Sequence, residues 1–205
     1  MKFAIVSEGK TDQAVIKNIL YGFFANEDLS GEIHNALPFD DTEGGFRWIF
    51  KYLKMTRFHK DVLNHEYIII QIDTDTSKDY DIKHIDENNK LLSINDLVNN
   101  VIDRLITEIE QGKSGFYQQY KAKIIFCICV HSIECWLLVH HCEQIEITNC
   151  FNKLNKCVKQ VGKKRRIYNK LSQPFLEKHK LLATAENDKS LNIFLDFIAK
   201  KTFII

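Results

Sequence analysis

The chain has 205 residues, 45% of them hydrophobic and 27% charged, with only two prolines and eight glycines, which excludes disordered and fibrous classes. Its 28 basic and 27 acidic side chains leave a formal net charge of +1, so no bulk field draws it to nucleic acid and any such contact must come from local patches. This length suits one domain with a proper core and room for a small appendage.

Phe3-Ala4-Ile5-Val6 is a short uncharged run that reads as a strand buried on both faces. Ser7-Glu8-Gly9-Lys10-Thr11-Asp12 follows it. Val15, Ile16, Ile19, Leu20, Phe23 and Phe24 then recur at helical spacing, so Thr11 or Asp12 is expected to cap a helix. Next come a loop over 26–31, a weak strand over 32–39 near a sheet edge, and an acidic, turn-rich loop over 40–45. Phe46, Ile49, Phe50 and Leu53 predict one helix over 46–59. Residues 66–73 form a second apolar run, ending in Asp73-Thr74-Asp75, and the polar stretch 78–90 reads as an exposed loop.

Leu97, Val98, Val101, Ile102, Leu105, Ile106 and Ile109 make an amphipathic stripe. It predicts a helix from Ser93 or Asn95 to Gln111, ended by Gly112 and Gly115. Residues 124–130 are the third buried-strand candidate, and Glu134 falls in the first turn of the helix expected after it. Beyond Cys142 the pattern loosens. Phe151, Leu154 and Val158 suggest a short helix, Lys163-Lys164-Arg165-Arg166 is the most basic cluster, and Leu191, Phe194, Leu195 and Ile198 mark a last helix. Strand and helix alternate over 1–142, which implies an α/β fold with a mostly parallel central sheet. Residues 143–205 read as a mainly helical extension packed on that core.

No apolar run approaches the roughly 18 to 20 residues of a membrane span. Met1-Lys2 leads straight into a strand too short for an export signal, so a cytoplasmic protein is expected. The six cysteines (127, 129, 135, 142, 150, 157) form no Cys-x-x-Cys pair, and free thiols are the corresponding expectation. His131, Cys135, His140, His141 and Cys142 have no standard zinc spacing.

All three buried-strand candidates are followed by acid: Glu8, Asp73 with Asp75, and Glu134. In extended backbone, residues two apart point to one side, so Asp73 and Asp75 can grip one cation together. Carboxylates gathered at one sheet edge repel one another unless a cation or a proton neutralises them, and hard oxygen donors suit magnesium or manganese. The bland alternatives are a solvated loop acid for Glu8 and a dipole-favoured first-turn acid for Glu134.

Val6-Ser7-Glu8-Gly9-Lys10-Thr11-Asp12 resembles the strand–Glu–Gly–helix signature of TOPRIM domains, and Ile72-Asp73-Thr74-Asp75 resembles their Asp-x-Asp motif. Ser132-Ile133-Glu134-Cys135-Trp136-Leu137-Leu138 is similar to an element of the small stand-alone RloB-like and OLD-like branch. The resemblance covers residues 1–142 and implies a TOPRIM-like, Rossmann-like three-layer fold. It implies a metal-dependent nuclease acting on DNA or RNA, in a branch linked to defence against phage and mobile elements. By the same resemblance Asp73 and Asp75 are magnesium or manganese ligands, Glu8 is a general acid/base or a further ligand, and Glu134 completes the site. Lys10, Lys163, Lys164, Arg165 and Arg166 are candidate contacts to the phosphate backbone. Two rival readings remain: a non-cleaving nucleic-acid-binding subunit or accessory to an ATPase partner, and a haloacid-dehalogenase-type phosphohydrolase built on Asp73-Thr74-Asp75-Thr76-Ser77.

Overall fold

A computed structural model of the chain describes residues 1–38, 44–145, 148–159 and 162–201. Four strands form one sheet among them: β1 (Phe3–Val6), β2 (Ile33–Leu37), β3 (Tyr67–Asp73) and β4 (Ile124–Cys129), in the order β2-β1-β3-β4. All three pairings are parallel. The fold is therefore α/β with helices on both faces, as the alternation implies. The weak strand does lie at the edge; the end expected for it, Phe39, lies outside the described residues, as do residues 40–43 of the acidic loop.

Alternation along each strand explains why the runs are apolar throughout. Phe3, Ile5, Ile69, Ile125 and Cys127 face one core, while Ala4, Val6, Ile68, Ile70, Ile124 and Phe126 face the other. The second core is closed by α2 (Phe46–Leu53), α3 (Thr56–Asn64), α4 (Ile94–Gly112) and α5 (Phe116–Tyr120). Ser93 caps α4 by accepting the Asp96 N–H, as expected. The single helix predicted over 46–59 is instead two, because Met55 is extended between α2 and α3. Residues 27–32 form a 3₁₀ helix rather than an open loop. In the stretch read as an exposed loop, Tyr80 and Ile82 are buried.

The first core is closed by α1 (Lys10–Phe24), α6 (Ile133–Cys142), α7 (Cys150–Val158), α8 (Arg165–Leu171), α9 (Lys178–Asn187) and α10 (Lys189–Ala199). The chain after residue 142 thus supplies much of one layer. α1 packs so closely on the 173–176 turn that a Cβ on Gly22 would lie 1.8 Å from the Phe175 carbonyl oxygen. Trp136 is fully buried in α6 and donates its indole N–H to Ser190 Oγ at 2.8 Å.

The cysteines depart from expectation. Cys135 bonds to Cys150 and Cys142 to Cys157, leaving Cys127 and Cys129 as buried thiols. Both bridges join residues 15 apart in sequence, and their members stand seven apart on each helix, so α6 and α7 run parallel with one face in register. No helix among the described residues is long and apolar enough to cross a membrane.

Alkylation in denaturant without reductant should therefore modify two thiols per chain, and six after reduction; six before reduction would refute the pairing. Each bridge closes a loop worth about 3 kcal/mol, and the loops overlap, so reduction should lower the melting temperature by roughly 10 °C.

Candidate functional site

The connection from β1 leads outward to β2, and the chain then returns to place β3 on the other side of β1. Adjacent strands whose connections diverge leave a crevice at their carboxyl ends, where open parallel sheets bind ligands. Glu8 lies two residues past β1 and Asp73 is the last residue of β3, so both line that crevice. They are coupled directly. The Asp73 N–H donates to Glu8 Oε1 at 2.8 Å, and the Glu8 N–H donates to Gln71 Oε1 at 3.1 Å. Gln71, wholly buried in β3, uses its amide nitrogen to donate to Asp73 Oδ1 at 2.8 Å. One side-chain amide thereby orients both acids. The Glu8 carbonyl accepts the Gly45 N–H at 2.8 Å, and a Cβ on Gly44 would come within 2.0 Å of that oxygen, so the approach of this loop requires glycine.

Asp12 joins them. Gly9, with extended backbone, rather than Thr11 or Asp12, is the N-cap of α1, and no side chain caps that end. Asp12 is consequently the third helical residue and is buried on the helix face that carries Val15, Ile16 and Ile19. Asp75 lies beyond the strand and is exposed, so the extended alternation expected for Asp73 and Asp75 stops at Asp73. It is the turn that holds Asp75 at the edge: the Thr74 and Asp75 N–H groups both donate to the His131 carbonyl at 2.9 Å, and the His131 N–H donates to Thr74 Oγ1 at 2.7 Å. His131 itself is left-handed, at φ 63°, and its Nε2 accepts the Asn149 N–H.

Glu134, in the first turn of α6, is held differently. Lys163 Nζ lies 3.0 Å from Glu134 Oε1, and the Tyr168 hydroxyl donates to the same oxygen. Glu134 Oε2 is buried without a partner among the described residues. The Lys163 ammonium also sits 5.2 Å from the centre of the Phe151 ring.

These surroundings divide the acids electrostatically. Burial, then the charges of Glu134 and Glu8, pushes Asp12 up to about 8. Burial pushes Glu8 up to about 7, against the Asp73 N–H that favours its charged form and with Asp75 adding repulsion. Asp73 is raised well above the usual carboxylate range by burial and by Asp12, Glu8, Glu134 and Asp75. Burial acts the same way on Glu134, but the Lys163 ammonium and the Ser132 and Tyr168 hydroxyls outweigh it and hold Glu134 below its ordinary value. Lys163 is raised in turn, because Glu134 outweighs its own desolvation.

An all-oxygen donor set of this kind fits magnesium or manganese, and the orphaned Glu134 Oε2 together with three mutually repelling buried carboxylates is what a divalent cation would relieve. Among the described residues, however, no three His, Cys, Asp or Glu side chains converge as a preset ion cage. The acids share an edge rather than a point.

The basic residues do not form one patch. Lys163 is turned into the acid cluster. Lys10 and Arg165 share a pocket beside β2, Arg166 lines a different one with His141 and Lys170, and Lys164 is exposed at the start of α8. Three site residues were not anticipated: Asp12, Gln71 and Tyr168. Asp12 was visible in principle, because helical periodicity already places it with Val15 and Ile19. No family model, curated protein or solved structure matches the chain.

The raised carboxylates predict how stability varies with pH. Above their folded values Glu8 and Asp12 are ionised in both states, and the fold bears the full repulsion. As pH falls through 8 and 7 the folded state takes up protons that the unfolded chain does not yet bind, so stability rises. In EDTA the melting temperature should increase by roughly 5 °C from pH 8.5 to 7.0, a window above the depressed values of His59 and His140. Manganese should raise it more at pH 8.5 than at 7.0. A flat profile would contradict the buried, mutually repelling cluster.

Proposed function

We propose that the chain is a divalent-metal-dependent phosphodiesterase of the TOPRIM kind, a nuclease acting on DNA or RNA. The supporting observation is the gathering of Glu8, Asp12, Asp73 and Asp75 where β1 and β3 diverge, with Glu134 behind them. A surface built only to bind phosphates would not collect carboxylates there, because each repels the ligand.

In this reading Asp73 and Asp75, with Glu8 and Glu134, hold magnesium or manganese, which when bound supplies Lewis-acid activation of water and stabilises charge on the phosphate. The rest falls to the chain itself. Gln71 fixes the Asp73 carboxylate and the Glu8 backbone, so these acids need little reorganisation. Off the metal, Glu8 is pushed to about 7, exchanges protons near neutral pH and suits instead the role of donor to the leaving oxygen. Asp12, pushed to about 8, can return that proton. Lys163 and Tyr168 keep Glu134 ionised and in place. A role in defence against phage and mobile elements belongs to the same proposal.

The haloacid-dehalogenase alternative gives Glu8 and Asp12 nothing to do. The accessory-subunit alternative draws on one observation, that an ammonium already neutralises Glu134.

Purified protein incubated with supercoiled plasmid, single-stranded DNA and RNA should cut at least one of them in magnesium or manganese and none in EDTA. Asp73→Ala and Glu8→Ala should each lower the rate by at least about a hundredfold, as expected on losing a ligand or a proton donor. Asp12→Asn should be slowed less and should show a changed pH profile. Manganese binding without cleavage of any substrate would favour the accessory reading.

A further inference from the structure

The chain has two tryptophans, and the fold treats them differently. Trp136 is fully buried and gives its indole N–H to Ser190. Trp48, the third residue of α2, is only half-buried. Arg47 and Lys51, four residues apart and both exposed, mark the outward face of that helix, and Phe46 and Trp48 flank it. Each flanking ring carries a cation. The Lys51 ammonium lies 4.7 Å from the centre of the Trp48 ring, and the Arg47 guanidinium lies 5.7 Å from that of Phe46. Phe50 shares the Phe46 side of the helix, and the Arg104 guanidinium from α4 stands 5.1 Å from its ring.

This helix begins at the acid edge. The Gly45 N–H donates to the Glu8 carbonyl, and the Phe46 N–H is among the groups that favour the charged form of Glu8. The Phe46 ring centre is 5.1 Å from that of Tyr80, whose hydroxyl donates to the Asp73 carbonyl at 3.0 Å. The aromatic face is thus continuous with the backbone of both acids. Its chemistry selects a ligand. Every nucleobase has a π-face that stacks on a tryptophan or phenylalanine ring, and cations beside the ring reach the phosphates of the same strand. The cations need not be idle beforehand. An arriving base takes the ring face while the flexible ammonium or guanidinium turns to the phosphate, so one contact of the cation replaces another. Bases within a duplex cover one another's faces and present only their edges in the grooves, so a surface of this kind favours unpaired nucleotides.

We propose that the outward face of α2 is a stacking platform for the unpaired bases of a nucleic-acid strand, with Trp48 as its principal ring and Arg47 and Lys51 as its phosphate contacts. The inference rests on the phosphodiesterase reading for the nature of its ligand, and it narrows that reading to single-stranded or locally unpaired substrates. A strand seated on this face leads along the first turn of α2 to the edge where Glu8 and Asp73 stand.

Binding is measured in EDTA, so that cleavage plays no part. The probes are a short single strand of DNA, one of RNA, and the duplex that each forms with its complement. Because Trp136 is sealed in the core, a change in tryptophan fluorescence on binding reports on Trp48. At least one single strand should quench that fluorescence and bind about tenfold or more tighter than its duplex. Trp48→Leu should weaken single-strand binding by about tenfold. Arg47→Gln and Lys51→Gln, both at exposed positions, should each flatten the slope of log affinity against log salt by about 0.7. If Trp48→Leu melts too low to be folded, the fluorescence of the unaltered chain and these two variants decide the matter. Equal affinity for single strand and duplex, no binding of either, or saturation by a single strand without a fluorescence change overturns the proposal. Unchanged affinity in a folded Trp48→Leu variant does the same. Quenching by single strands that are never cut in magnesium or manganese upholds the platform and sinks the phosphodiesterase reading instead, and cleavage confined to duplexes does the reverse.

Discussion

Repulsion between buried carboxylates is the constraint on which the rest of this structure depends. Glu8 and Asp73 are delivered to one crevice by the order β2-β1-β3-β4, and α1 adds Asp12 because it begins at Gly9, one turn too early for Asp12 to remain at the surface. Buried ionised groups of like sign are costly enough that the fold must neutralise them, by protons, by a protein cation or by a metal. Two of these remedies are visible in the chain. Glu8, Asp12 and Asp73 retain protons more tightly than ordinary carboxyls do, and Lys163 supplies an ammonium to Glu134.

The layer built by the C-terminal helices follows from that need. Lys163 and Tyr168 come from either side of the start of α8, and both act on the Glu134 oxygen. α7, which precedes them, is tied to α6 by two disulfides, and Cys135, the neighbour of Glu134, forms one of them. Asn18 in α1 donates to Ser172 Oγ at 2.7 Å just beyond α8. The segment that begins after residue 142 thus supports the site from behind, through covalent links, a buried hydrogen bond and an ion pair. Removing it would leave Glu134 buried without a counter-charge, which is more damaging than losing the ion pair itself.

What was legible in the sequence is what local chemistry decides. Uncharged runs of four to seven residues declared three of the strands, the Ser93 cap declared α4, and the acids at strand ends declared the edge where Glu8 and Asp73 meet. Contacts between distant segments decided the rest. Nothing near Met55 signals a break, yet α4 approaches there so closely that a Cβ on Gly112 would stand 2.6 Å from the Lys54 Cα. The Tyr52 hydroxyl also reaches across the break to the Asp61 carboxylate. α8 and α9 carry thin apolar stripes, with Tyr168 the only buried residue of the first and Leu181, Thr184 and Ala185 those of the second, too little for a periodic signal. The cysteine pairing depends on α6 and α7 lying parallel, which no spacing rule reveals. The run Lys163-Lys164-Arg165-Arg166 reads as a uniform patch only until the fold sends its members to four different places.

This division of the basic run bears on how one acid cluster could serve two purposes. An acid that carries protons must titrate near neutral pH, whereas an acid that anchors a cation must stay ionised. Uniform burial would raise every carboxyl together and give only the first kind. Lys163 breaks that uniformity. By holding Glu134 ionised it keeps one fixed negative charge in the cluster, and that charge is among the causes that raise Asp12 and Asp73. Glu8, whose raised value depends first on burial and next on the opposing Asp73 N–H, is left in the range where a proton can be given or taken. A lysine distant in sequence from all of these acids therefore keeps Glu134 ionised while Glu8, Asp12 and Asp73 titrate higher, and it can do so only because the C-terminal layer holds it there.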